Sequence, residues 1–100
     1  IINNVYNGGE TTGVSLLTII ESLNVYPNPT SGNFTVQIAS NEVSDIEISL
    51  MDIQGHIVYS HLVSGILNHT EVIENNFAKG VYFLSVNNGR DIKIQKVIIQ

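Results

Sequence analysis

From residue 23 onward the chain repeats one pattern: a short run in which apolar and polar residues alternate, then a turn signal. Phe34, Val36 and Ile38 alternate with Thr35 and Gln37; Ile46, Ile48 and Leu50 alternate with Glu47 and Ser49. A period of two puts every apolar side chain of such a run on one face, the pattern of a half-buried β-strand. The composition points the same way. Of 100 residues, 15 are Ile, 11 Val and 6 Thr, against only 2 Ala. β-branched side chains lose rotamer freedom in a helix and pack well on a pleated surface. An all-α fold is excluded and an all-β fold is expected.

The punctuation divides the chain into seven expected strands: residues 23–26, 34–38, 46–50, 57–62, 67–73, 81–86 and 92–99. Pro27-Asn28-Pro29 stops the first, and Thr30-Ser31-Gly32-Asn33 turns the chain. Met51 falls out of phase, which predicts a bulge or a strand end. Asp52-Ile53-Gln54-Gly55 reads as a turn in which Gly55 supplies a positive φ, and Ser64-Gly65 as another. Residues 74–80 form a longer corner, and Asn87-Asn88-Gly89 is a hairpin signal. Turn signals spaced by about 8–12 residues predict an immunoglobulin-like Greek-key β-sandwich of about seven antiparallel strands. For the last hairpin, keeping apolar opposite apolar predicts Leu84 across from Ile92 and Tyr82 across from Ile94, with Gly89 left-handed in a three-residue loop.

One hundred residues suffice for one small domain. It is placed at residues 23–100, with residues 1–22 as a linker or N-terminal extension. Residues 1–13 are rich in Asn, Gly and Thr, and 14–20 form either a short strand or an apolar flap. The chain starts Ile1-Ile2, so it is expected to be a piece of a longer protein. No apolar run reaches the roughly 20 residues of a membrane-spanning helix. The absence of Cys excludes a disulfide scaffold, a Cys-ligated zinc and a Cys nucleophile. A net charge of −5 argues against nucleic acid or an anionic membrane as partner. Residues 41–78 carry six acids and no Lys or Arg, whereas Lys79, Arg90, Lys93 and Lys96 all lie in residues 79–100.

Chemistry has few footholds. His61 and His69 flank the Ser64-Gly65 turn and Glu71 is near, a set that can bind metal if the strands pair in register. With no register fixed, they read as surface histidines, and neither metal nor cofactor is expected. There is no nucleophile elbow, phosphate loop or calcium loop, and no enzyme is expected. Carbohydrate binding lacks its usual Trp platform. Asn33-Phe34-Thr35 and Asn68-His69-Thr70 match the N-glycosylation pattern at the frequency chance allows in so Asn-rich a chain. Phe77-Ala78-Lys79-Gly80-Val81-Tyr82 is more specific: a bend at Gly80 followed by Tyr82 entering a strand matches a tyrosine corner.

Three segments in one order carry a family resemblance. Leu23-Asn24-Val25-Tyr26-Pro27-Asn28-Pro29-Thr30-Ser31-Gly32 comes first, then Asp52-Ile53-Gln54-Gly55-His56-Ile57-Val58. Phe77-Ala78-Lys79-Gly80-Val81-Tyr82-Phe83-Leu84 follows, before a last strand with Lys96-Val97-Ile98-Ile99. Together they resemble the type A C-terminal sorting domain of the type IX (Por) secretion system. The family's apolar-acidic-apolar alternation before the corner is altered here, since Val72-Ile73-Glu74 puts an acid in the second apolar slot. The resemblance implies a transport role for residues 23–100. A passenger attached N-terminally reaches the periplasm, the domain is recognised by the outer-membrane export machinery, and a sortase-like peptidase removes it at the cell surface. It implies structural roles for Tyr26, Pro27, Asn28, Pro29, Gly32, Asp52, Gly55, Gly80, Tyr82 and Gly89. Recognition is expected at Lys96, Val97, Ile98, Ile99 and Gln100, which combine a sheet edge with local positive charge. The alternative is an accessory immunoglobulin-like adhesin or carbohydrate-binding module of a secreted protein.

Overall fold

The structure, a computed structural model, describes residues 20–74 and 76–100. The expected linker over residues 1–22 lies outside the described residues up to residue 19. Five strands follow in order: β1 (Ile20–Tyr26), β2 (Phe34–Asp52), β3 (Ile57–Ile73), β4 (Gly80–Asn87) and β5 (Ile92–Ile99). β1 begins at Ile20, whose side chain is fully buried.

All strand pairings are antiparallel within one sheet. β2 is its spine. β3 runs along one edge of β2 for nearly its whole length. The other edge is shared: β1 pairs with residues 35–40 and β4 with residues 47–52. β5 pairs with β4, and a parallel bridge, Thr30↔Ile99, joins the chain after β1 to the far edge of β5. The sheet thereby wraps one core, in which Phe34, Val36, Ile38, Ile48, Leu50 and Leu84 are each at most 2% exposed.

The alternating runs are therefore in the right places, but the described residues form five strands rather than seven. The runs at 34–38 and 46–50 are two halves of β2, and those at 57–62 and 67–73 two halves of β3. The reason is a matched irregularity. Between Ala39 and Ile46 the β2 side holds more residues than β3 does between Asn68 and Val63. The extra chain bulges out, with Ser40 Oγ donating to the Glu42 carbonyl at 2.8 Å. Opposite, Gly65 sits at φ 64°, and its N–H donates to Asp45 Oδ1 at 2.8 Å. Ser64-Gly65 bends β3 instead of reversing it, and the ladder resumes beyond. Met51 does mark a bulge, since the pairing shifts between Leu50↔Tyr59 and Met51↔Ile57.

The last hairpin also departs from expectation. Asn87 pairs with Ile92 across a four-residue loop, Leu84 lies opposite Gln95, and Val86 opposite Lys93. Gly89 has φ 93°, as a left-handed turn position requires. The Asn88 side chain closes the loop by accepting from the N–H groups of Arg90 (2.8 Å) and Asp91 (2.6 Å). Ile92 and Ile94 are 60% and 61% exposed. The cause is parity. Val97 and Ile99 are packed in the core, and a period of two then forces residues 92 and 94 to the outer face.

Candidate functional site

The C-terminal strand is held by the Pro-Asn-Pro-Thr segment that follows β1. Both X-Pro bonds there, Tyr26-Pro27 and Asn28-Pro29, are cis. Asn28 acts as a piece of strand: its Nδ2 donates to the Lys96 carbonyl at 2.7 Å, and its Oδ1 accepts from the Ile98 N–H at 3.0 Å. Thr30 continues the ladder, its N–H donating to the Ile98 carbonyl (2.9 Å) and its carbonyl accepting from Gln100 N–H (2.8 Å). Thr30 is 1% exposed, and its hydroxyl donates to the Gly32 carbonyl at 2.8 Å, closing the turn. The sequence reading missed Thr30; its signal is a Thr two residues before Gly32, where its hydroxyl can form an ST-turn.

This geometry changes the picture of residues 96–100. The backbone edge there is not open, since Asn28 and Thr30 occupy it. Val97 and Ile99 face the core; Lys96 and Gln100 are exposed and Ile98 is half-buried. The side chains available to a partner are those of Lys96, Ile98 and Gln100. Upstream, β5 pairs only with β4 among the described residues, which leaves the other edge of residues 92–95 without a paired strand.

The remaining family positions are turns and a corner. Asp52 Oδ1 accepts from the N–H groups of Gln54 and His56, both at 2.9 Å, and Gly55 sits at φ 91°. The backbone donor of His56, ahead of that of Gln54, holds the Asp52 carboxyl below its ordinary value. Tyr82 is 6% exposed and its hydroxyl donates to the Ala78 carbonyl, four residues upstream, at 2.6 Å. Phe77 packs on its ring, centroids 6.1 Å apart. Gly80, at φ 153°, begins β4. That is the geometry of a corner pinned by a phenol.

A polar cluster lies where the two halves of β3 face one another. Glu71 accepts from His61 Nδ1 at 2.7 Å and from His69 Nε2 at 2.8 Å, both through Oε1, while Tyr59 donates to Oε2. Pairing explains the assembly. His61 lies opposite Ile48, His69 opposite Ile38 and Glu71 opposite Val36, so all three share the inward face of the sheet. Burial alone raises the Glu71 carboxyl, but the hydrogen bonds from His69, Tyr59 and His61 outweigh it and leave the carboxyl below its ordinary value. Burial, then the same carboxylate, push the Tyr59 phenol up to about 12. The histidines are thus not independent surface groups, and among the described residues His61, His69 and Glu71 form a group whose ligand atoms converge within 4.8 Å, close enough to hold a metal. Tyr59 went unnoticed in the sequence; its signal is its place two residues before His61, on the same face.

A search among curated proteins finds no match. The model of the secretion-system C-terminal sorting domain matches residues 24–100, from β1 through the last strand, and takes in the clasp, the Asp52 turn and the Tyr82 corner. The chain belongs to the family of C-terminal sorting domains of the type IX secretion system, the signals that send a protein across the outer membrane to the cell surface or beyond.

Proposed function

We propose that this domain directs a passenger attached at its N-terminal side through the type IX export machinery, that the machinery reads the clasped terminal strand, and that a sortase-like peptidase then removes the domain on its N-terminal side. The family match over residues 24–100 is the observation that carries the reading. The role is one of transport and involves no catalysis by the domain. Asn28 and Thr30 hold β5 in place, and Lys96, Ile98 and Gln100 are the contact side chains. We also read the wrapped sheet as an immunoglobulin-like sandwich in which two pairs of strands have fused.

The test is portability. A signal peptide, an unrelated fluorescent protein and residues 1–100 are fused in that order and expressed in a host with the type IX system. The fluorescent protein is expected at the surface or in the medium, with a shortened product cut upstream of Ile20. Lys96→Glu, which leaves the core untouched, is expected to slow export. A folded fusion that stays in the periplasm overturns the sorting reading in favour of a binding module.

A further inference from the structure

We propose that His61, His69 and Glu71 form a binding site for one divalent transition cation of the zinc type. In a straight strand, eight residues span about 26 Å, so His61 and His69 would lie far apart. The bend at Gly65 instead brings one ligand atom from each of His61, His69 and Glu71 to within 4.8 Å of the others. The two rings meet edge-on at 63°, and both aim a nitrogen at the same carboxylate oxygen, Glu71 Oε1.

That convergence matches what a tetrahedral ion asks for. Metal–ligand bonds of about 2.0–2.1 Å place neighbouring ligand atoms about 3.3 Å apart. The present separations run from 2.7 Å to at most 4.8 Å and bracket this value, so side-chain rotations suffice to admit the ion. Each neutral ring then carries its proton on the far nitrogen, Nε2 of His61 and Nδ1 of His69. Tyr59 holds the second carboxylate oxygen, the outer hydrogen bond that orients a ligating carboxylate. The His61 side chain is 49% exposed, which gives the ion a way in and leaves room for water as fourth ligand.

Charge points the same way. The Glu71 side chain is only 10% exposed, and its ion-pair partners among the described residues are the two histidines. No Lys or Arg lies anywhere in residues 41–78. A buried carboxylate is ordinarily paired with a fixed cation or bound to a metal, and among the described residues no Lys or Arg pairs with Glu71. Two imidazoles with one carboxylate favour zinc, copper or nickel over calcium or magnesium, which prefer all-oxygen shells.

The experiment titrates zinc chloride into the chelator-treated 100-residue chain at pH 7.5, by calorimetry and by thermal melting. One ion per chain is expected to bind with a dissociation constant on the order of micromolar and to raise the melting temperature. His61→Ala and Glu71→Gln are each expected to weaken binding by at least about 10-fold, the scale on which even outer-shell partners act. His56→Ala, on the Asp52 turn, is expected to bind as the parent does. In imidazole nitrogen spectra zinc is expected to shift His61 and His69 and leave His56 in place. No saturable zinc binding by the parent chain, or undiminished binding by the folded His61→Ala variant, overturns the proposal. Half-exposed His61 is the variant of choice because its loss leaves the core intact.

Discussion

Asn28→Ala tests whether a side chain completes the sheet at β5. Two hydrogen bonds go, one to the Lys96 carbonyl and one from the Ile98 N–H. Each has a net worth of about 0.5–1.5 kcal/mol. The Lys96 carbonyl keeps the Gln95 amide at 3.1 Å, and both freed groups lie at an exposed edge where water can replace Asn28. The full penalty of burying an unpaired group is therefore avoided, and the sum is about 1–3 kcal/mol. In a domain of this size each kcal/mol moves the melting temperature by about 4–8 °C, so a fall of roughly 4–24 °C is expected in thermal unfolding followed by circular dichroism. Asn24→Ala, at an exposed position of β1, is the control and is expected to melt close to the parent. Amide exchange gives the local reading: protection at Ile98 drops by about 5- to 150-fold, as a loss of about 1–3 kcal/mol requires, while Thr30 still holds Gln100. A variant that melts within about 2 °C of the parent, with the Ile98 amide equally protected, refutes the idea that Asn28 serves as a strand.

Tyr82→Phe removes only the bond to Ala78 and is expected to cost about 0.5–1.5 kcal/mol in urea unfolding, whereas Tyr82→Ala also leaves a cavity in the core and costs about 3–5 kcal/mol. Equal costs for the two would contradict the corner. Gly65→Ala meets no atom within 4 Å, so its expected penalty of about 1–2 kcal/mol is the strain of a positive φ alone. A Gly65→Ala chain as stable as the parent in the same assay would show that the bend does not depend on that conformation. The His56 backbone donor holds the folded Asp52 carboxyl below its ordinary value, so its contribution is complete above the ordinary value and is lost as pH falls through the lower, folded one. Acid titration followed by circular dichroism is expected to show a shallower loss of stability below pH ~4 for Asp52→Asn than for the parent.

What the sequence determined by itself is local. The period of two at Phe34, Val36, Ile38 and at Ile46, Ile48, Leu50 names the faces that are buried, because alternation is a property of each strand on its own. The φ of Gly55 and Gly89 and the Tyr82 corner are legible for the same reason, since each is set within a few residues. The tertiary structure decided everything that depends on a distant partner. Ser64-Gly65 carries the signal of a turn, yet it bends a continuous strand because the bulge opposite, at residues 40–44, lets the ladder resume. Ile92 and Ile94 face outward because Val97 and Ile99 hold the inward parity against the core. Asn28 finds its partners about 70 positions along the chain, and His61 meets Glu71 only after β3 has folded over. Such long-range pairings arise from packing one sheet around one core, and no run of neighbouring residues encodes them.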